Sequence, residues 1–182
     1  MATTVDYIDV EGAKISLIYE EDKRLPMVSM QLVFEQSGSI EDAKLPGLAK
    51  ISAKMMNEGT SKLGSIGFAK ALDAKAVHLS AHTGTETFVI ELSSLKESFE
   101  YGVKHVKMLL RDPNLNQETL EKVKAITIGY LSSKDNDYDY VASNALKAEL
   151  FKDTVLEHPA SGKVEDVKKV KLDDITTFLQ QH

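Results

Sequence analysis

The chain has 182 residues, of which 42% are hydrophobic and 27% are charged, a composition typical of a folded globular protein rather than a disordered one. Its net charge of −6 is the balance of 22 basic and 28 acidic residues without a long block of either sign, which argues against a nucleic-acid-binding surface. The absence of cysteine excludes a disulfide framework, a thiolate metal site and a cysteine nucleophile. No apolar run is long enough to span a membrane.

The first part of the chain has the alternating pattern of β-strands. Val5–Val10 and Lys14–Glu20 alternate on either side of the turn Glu11-Gly12, which predicts a β-hairpin. Met27–Phe34 also alternates and places its apolar side chains on one face, which predicts a third strand. We expect this third strand to lie at the centre of a sheet.

The remainder of the chain is predicted to form two more strands and several helices. The predicted strands are Val77–Thr83 and Thr85–Ser93, and the predicted helices are Leu48–Asn57, Ile66–Lys75, Leu95–Leu110, Asn116–Ser132, Val141–Phe151 and Leu172–Gln181. This order lacks long alternation of strand and helix. It therefore predicts an α+β fold, in which a mostly antiparallel sheet has helices packed on one face.

Histidine is a common zinc ligand, and the spacing of two histidines in this chain resembles that of a zinc site. His78 and His82 have the spacing of two zinc ligands on a helix, but the flanking pattern predicts a strand. Four residues along a strand span roughly 13 Å, whereas each zinc ligand must lie about 2 Å from the ion. One strand therefore cannot chelate zinc through this pair. His105 is predicted within a helix and His158 in a loop, positions that favour structural or solvated side chains.

Other catalytic patterns are also missing from the sequence. It contains no G-x-S-x-G nucleophile elbow and no glycine-rich phosphate loop. The polar segment Asp135–Tyr140 has some resemblance to a calcium loop, but it lacks the glycine and the terminal glutamate that such a loop requires. The residues alone thus predict an α+β domain without an evident active site and without a cofactor.

Several segments, taken in order, resemble a known family. They are Arg24–Phe34, Ser37-Gly38-Ser39, Asp42, Leu45–Ala49 and Glu58-Gly59-Thr60. Their order and spacing resemble the start of an M16 unit, the family of pitrilysin, insulinase and the mitochondrial processing peptidase. In that family a Gly-Leu-Ala sequence opens the metal-binding helix, which carries the motif H-x-x-E-H and closes at Gly-Thr. The two histidines bind zinc, and the glutamate is the general base.

The resemblance implies that the zinc motif is degenerate in this chain. The Gly-Leu-Ala and Gly-Thr sequences fix the register from both sides and place Lys50, Ala53 and Lys54 at the positions of the two histidines and the glutamate. A protonated lysine has no lone pair to donate, and two positive charges repel a cation. Alanine cannot accept a proton. No catalytic or metal-binding residue is therefore expected at these positions.

The third zinc ligand of the family is a glutamate on a later helix. The resemblance places this position near Gly129 or Tyr130, and neither residue is a carboxylate, although Glu121 lies two turns earlier. The resemblance covers most of the chain, from about residue 5 to residue 180, and its later segments are Leu72–Val77, Thr83–Phe88, Phe151, His158-Pro159, Gly162, Val170, Leu172 and Phe178.

What the family implies for function follows from this degenerate site. Residues 1–182 are expected to form one N-terminal-type domain, either alone or as a fragment of a longer two-domain chain. Inactive members of the family pair with active ones and help to hold peptide substrate. The leading expectation is therefore a catalytically inactive subunit or domain that assists an active M16 partner or associates with itself. We also expect an exposed sheet edge to accept an extended peptide, and we expect a bacterial periplasmic location.

Two alternatives remain open. The first is that the chain is an active zinc metallopeptidase with relocated ligands, which would come from the four histidines named above and from Glu121 or another acid. Otherwise it is a plain protein-interaction module of peptidase ancestry. Bound zinc would favour the first alternative, whereas copurification with an active M16 subunit encoded nearby would favour the inactive-subunit hypothesis over the second.

Overall fold

The structure is a computed structural model that describes residues 3–42 and 45–181. Its strands are β1 (Thr4–Val10), β2 (Ala13–Tyr19), β3 (Met27–Glu35), β4 (His78–Thr83) and β5 (Thr87–Leu95). Its α-helices are α1 (Leu48–Met56), α2 (Gly64–Asp73), α3 (Phe99–Arg111), α4 (Gln117–Ser133), α5 (Tyr138–Leu150), α6 (Val164–Lys169) and α7 (Leu172–Gln181). All strand pairs are antiparallel, and the predicted α+β class is confirmed.

Strands β3, β5 and β4 form one sheet in that order, so β5 occupies its centre. The expectation that β3 is central is therefore wrong for the described residues. Alternation reports that a strand has one buried face, but it does not report how many strands lie beside it. Phe88, Ile90 and Leu92 alternate along β5 on the face that packs against the helices.

Helix α1 lies between two hydrophobic clusters. On the side of the sheet, it packs with β4, β5, α2 and α3 through three residues, which are Ala49, Ala53 and Met56. On the other side it packs with α4, α6 and α7 through Ile51 and Met55. Because apolar contacts surround most of this helix, its charged side chains, Lys50 and Lys54, share the one remaining face.

The hairpin β1–β2 and helix α5 differ from the rest of the fold because their apolar side chains are exposed. Every residue of the two hairpin strands is exposed, and within the described part of the chain these strands pair only with each other. Helix α5 has no buried residue. Within residues 3–42 and 45–181, no helix combines the length and the hydropathy needed to cross a lipid bilayer.

Most predicted elements are present, with differences at particular boundaries. The predicted hairpin is confirmed, and α7 spans the predicted residues Leu172–Gln181. Leu95 was expected to begin a helix, but it pairs with Met27 at the end of β5, so α3 begins at Phe99. Helix α6 was not predicted, because its six residues are too few to show a helical period.

Candidate functional site

The start of helix α1 is fixed by a buried carboxylate. Asp42 is 4% exposed, and its Oδ1 accepts the backbone N–H of Ala49 at 2.8 Å while its Oδ2 accepts that of Gly47 at 3.0 Å. These bonds satisfy N–H groups that have no partner within the helix, at the end where the helix dipole favours negative charge. Burial raises the pKa of Asp42 to about 6; the two N–H bonds oppose that rise, and the charge of Glu41 adds to it.

Two glycines bring the loop that follows α5 against the start of α1. Gly47 has a φ of 95°, and a Cβ there would lie 2.7 Å from the carbonyl oxygen of Ser161. Gly162 has a φ of 66°, and a Cβ there would collide with the carbonyl oxygen of Pro46. Both positions therefore require glycine, for backbone conformation and for space. This close contact places Ser161 beside the exposed face of α1.

Lys50, Ala53 and Lys54 share one face of α1, as their spacing requires. The Lys50 Nζ donates a hydrogen bond to the Ser161 Oγ at 2.8 Å, and the Lys54 Nζ donates one to the Thr127 Oγ1 at 2.8 Å. Ala53 lies beside them, buried in the cluster on the side of the sheet with 3% of its surface exposed. This face of α1 therefore presents two ammonium groups that rest on hydroxyls.

Neither ammonium has an acidic partner. Among the described residues, no carboxylate oxygen lies within ion-pair distance of Lys50 or Lys54. Both side chains are half-buried. Burial lowers the pKa of Lys54, and the nearby charge of Lys50 lowers it further. The site is thus electropositive, and the protonated lysines themselves have no lone pair to donate.

The residue of α4 that contacts Lys54 is Thr127, and not Gly129, Tyr130 or Glu121. Thr127 is 2% exposed, whereas Gly129 is exposed and the exposed ring of Tyr130 lies 5.8 Å from the Lys134 Nζ. Glu121 is exposed, and its Oε1 accepts a hydrogen bond from Gln117 at 2.8 Å. Sequence reasoning missed Thr127, which belongs to the buried period of α4 together with Leu120, Val123 and Leu131.

The four histidines that the structure describes are not brought together. His78 and His82 lie on β4 opposite Ser93 and Val89, with their side chains exposed. His105 is 7% exposed, and its Nδ1 donates to the carbonyl oxygen of Tyr101 at 2.8 Å, which gives it a structural role. His158 is exposed in a loop. In the part of the chain that the structure describes, no three His, Asp or Glu side chains form a group suited to a metal ion.

The edge of β4 is occupied by a side chain. Asn57, which follows α1, donates from Nδ2 to the carbonyl oxygen of Ala81 at 2.8 Å, and its Oδ1 accepts the N–H of Ala81 at 2.7 Å. The amide thus imitates one residue of an adjacent strand. The outward-facing backbone groups of Ala81 are therefore already paired, and the expectation that an exposed sheet edge accepts a peptide stays a prediction for the rest of the sheet's edges.

Comparisons with known proteins agree with this fold. A family model described as Insulinase (Peptidase family M16) matches residues 17–163. The chain is 42% identical over 174 residues to the Non-peptidase homolog YmxG of Helicobacter pylori, covering 96% of this chain and 40% of that protein. It is 21% identical to Cytochrome b-c1 complex subunit 1, mitochondrial, of Bos taurus, over 99% of this chain and 37% of that protein.

Among solved structures, the fold is similar to that of a peptidase M16 inactive domain from Pseudomonas fluorescens. The TM-score is 0.86 at 21% sequence identity, and the match covers 96% of this chain and 42% of that one. The chain spans about 40% of the length of the curated relatives described above. Because the family model matches most of the sequence, and the fold agrees with it, this chain belongs to the insulinase family, peptidase family M16.

Proposed function

We propose that this chain is a non-catalytic M16 homologue that assists an active M16 peptidase subunit in binding and processing peptides. The observation that carries the proposal is the face of α1. There, Lys50, Ala53 and Lys54 stand where the family resemblance places the two histidines and the glutamate of H-x-x-E-H. The lysines are bound to the hydroxyls of Ser161 and Thr127, so the face contains neither a metal ligand nor a general base.

The position of Thr127 supports the same proposal. In the family, the third zinc ligand is a glutamate on a later helix, and Thr127 is the α4 side chain that contacts Lys54 in this chain. Zinc is bound in proteins by Cys, His and Asp or Glu side chains, so a hydroxyl in place of the carboxylate removes one of its usual ligands. We infer that Thr127 occupies the place of this third ligand, so that all three zinc ligands and the base are replaced together.

A partner subunit is supported by the apolar surface that the fold leaves exposed. Tyr7, Ile15 and Ile18 of the hairpin are each half exposed or more, and so are Tyr138 and Leu150 of α5. Exposed apolar patches of this kind mark surfaces that bind other proteins. One relative is named as a subunit of the cytochrome b-c1 complex and another as subunit beta of the mitochondrial processing peptidase. We infer association with an active M16 subunit.

The test of the inactive site is zinc content after exposure to zinc and buffer exchange, measured by elemental analysis together with peptide hydrolysis. The wild-type chain is expected to retain substoichiometric zinc and to leave peptides intact. The variant K50H/A53E/K54H/T127E, which restores all four residues, is expected to retain near-stoichiometric zinc. The matched variant K50H/A53E/K54H keeps Thr127 and is expected to bind zinc more weakly. Stoichiometric zinc in the wild type would contradict the proposal and favour relocated ligands.

The assisting role needs a separate experiment. The chain is co-expressed with an active M16 subunit encoded nearby, and the complex is analysed by size-exclusion chromatography and peptide hydrolysis. Coelution with increased hydrolysis is expected. If the two proteins elute separately at micromolar concentration and hydrolysis is unchanged, the chain is an interaction module of peptidase ancestry instead.

A further inference from the structure

The face of α1 presents an electropositive site that zinc chemistry does not explain. We propose that Lys50 and Lys54, together with the hydroxyls of Ser161 and Thr127, bind an oxyanion such as a carboxylate or phosphate group. The site belongs to this chain alone and does not depend on the partner subunit proposed above.

The two positive charges of the site favour the binding of an anion. Two cations lie one turn apart on a half-buried face, and among the described residues no carboxylate is paired with either of them. The lowered pKa of Lys54 has burial and the Lys50 charge as its causes, so both causes act against the charged form. An anion between the two ammonium groups relieves this repulsion and replaces the missing counter-charge.

The hydrogen-bond donors of the site are also largely uncommitted. A lysine ammonium has three N–H donors, and among the described residues Lys50 and Lys54 each make one hydrogen bond. Ser161 and Thr127 accept these bonds, and within the described part of the chain neither hydroxyl donates to another atom. Several N–H groups and the O–H of the half-buried Ser161 are therefore free to donate to a ligand that carries only acceptor oxygens, while the buried Thr127 orients Lys54.

A second basic region of the chain shows that a group of lysines alone does not make an anion-binding site. Lys168 and Lys171 border an open groove between α4, α6 and α7. In that groove the Lys124 Nζ already donates to the carbonyl oxygens of Lys168 and Val170, at 2.9 and 3.0 Å. Asp174 lies in the same groove. These lysines supply a control for general attraction of anions, because their surroundings already contain acceptors.

The experiment is calorimetric titration of the wild-type chain at constant ionic strength. One arm uses inorganic phosphate, and the other uses a short peptide with a free C-terminal carboxylate and the same peptide amidated. Saturable binding of phosphate, of the free peptide or of both is expected, with weaker binding of the amidated peptide. Binding of phosphate alone identifies a phosphate group as the ligand, and binding of the free peptide alone identifies a carboxylate; either result supports the site.

Variants distinguish this site from general electrostatic attraction. K50M/K54M is expected to weaken binding at least about tenfold, because it removes charge-assisted hydrogen bonds. K168M/K171M removes the same charge from the other groove and is expected to change affinity less than about twofold. Equal losses in the two variants, or no saturable binding of either ligand by the wild type, would overturn the proposal.

A second pair of substitutions keeps the test decisive if K50M/K54M does not fold, as judged by circular dichroism. S161A/T127V retains both lysines and removes only the hydroxyls. It is expected to weaken binding about threefold or more, because the ligand loses the Ser161 donor and the ammonium groups lose the acceptors that orient them. Unchanged affinity in a folded S161A/T127V variant would also overturn the proposed site.

Discussion

The hairpin β1–β2 and the sheet β3–β5–β4 are built from similar β-branched and aromatic residues, but only the sheet buries them. Ile18 in the hairpin is 70% exposed, whereas Ile90 at the centre of the sheet is 1% exposed. Leu17 and Leu92 differ in the same way, at 43% and 0%. A local sequence pattern can thus form a strand that contributes nothing to the core. An isolated two-stranded hairpin is only marginally stable in water, so this hairpin gains little from its own apolar residues.

The difference indicates what each region contributes. The sheet and helix α1 hold the fold and fix the lysine site, while the hairpin presents apolar side chains on both of its faces. On one face lie Ile8, Ile15 and Leu17, and on the other lie Val5 and Ile18. A surface that is apolar on both faces needs covering by other protein segments, which is consistent with the association proposed above.

The largest expected effect is on the free energy of unfolding, when leucine is replaced by alanine in each of the two regions. Leu92→Ala removes a fully buried side chain from the centre of the sheet and is expected to lower the free energy of unfolding by about 2–5 kcal/mol. Leu17→Ala makes the same change in the exposed hairpin and is expected to change it by less than about 0.5 kcal/mol. Urea denaturation measures both. A Leu17→Ala loss as large as that of Leu92→Ala would mean that the hairpin is packed in solution.

The next effect compares two helical glycines. A Cβ on Gly102 would lie 2.6 Å from Leu92 Cδ1 and 3.2 Å from Val77 Cγ1, whereas a Cβ on Gly129 would meet nothing within 4 Å. Gly102→Ala is therefore expected to destabilise the chain by about 1–3 kcal/mol through overpacking. Gly129→Ala is expected to stabilise it by up to about 1 kcal/mol, because alanine has the higher helix propensity. Thermal unfolding of both variants checks the sign of each change.

The sequence predicts the elements whose signals are local. The turn at Glu11-Gly12 sets the hairpin, and both residues adopt positive φ, 53° and 87°. Properties that depend on distant contacts were missed. The strand order was missed because pairing is decided by the whole sheet, and α6 was missed because only one side chain, Val167, marks its short buried face.

The candidate site follows the same division. That Lys50, Ala53 and Lys54 share a helix face can be predicted from spacing alone. The hydroxyls that accept their hydrogen bonds come from residues 111 and 73 positions away in the sequence, Ser161 and Thr127, and no local pattern connects them. Two glycines hold Ser161 in place through positive φ and close backbone contact, which sequence spacing does not reveal.

A smaller effect is expected from Asp42, whose carboxylate is buried in the body of the fold. Its folded pKa of about 6 lies above the ordinary value of 3.8, so the folded state binds the proton more tightly. The stability that this proton contributes is fully present below pH 3.8 and is lost as the pH rises through 6. In the variant Asp42→Asn the side chain cannot ionise. The free energy of unfolding of this variant relative to wild type is expected to rise by up to about 3 kcal/mol across this range.

Unfolding curves of wild type and Asp42→Asn at several pH values measure this difference. Asp9→Asn makes the same chemical change in the exposed hairpin and controls for net charge. If wild type instead gains stability relative to Asp42→Asn as the pH rises, the two hydrogen bonds that the Asp42 carboxylate accepts lower its pKa more than burial raises it.

The edge of β4 gives a more local prediction. Asn57→Ala removes both bonds to the backbone of Ala81 and leaves its N–H facing solvent. The amide of Ala81 is expected to exchange with deuterium faster, and stability to fall by about 1 kcal/mol. Asn144→Ala, on the exposed helix α5, is the matched control and should leave this exchange rate unchanged. Equal exchange rates in wild type and Asn57→Ala would show that Asn57 does not cap the edge in solution.

The smallest expected effect is a gain in stability within the buried body. Ser52 on α1 is 0% exposed, and its Oγ has no hydrogen-bond partner among the described residues. Ser52→Ala removes an unpaired buried hydroxyl and is expected to raise the free energy of unfolding by about 0.5–1 kcal/mol. Ser132→Ala on the exposed face of α4 changes helix propensity alone and is the control. A loss of stability in Ser52→Ala, beside the small gain that helix propensity gives Ser132→Ala, would mean that the Ser52 hydroxyl is paired in solution.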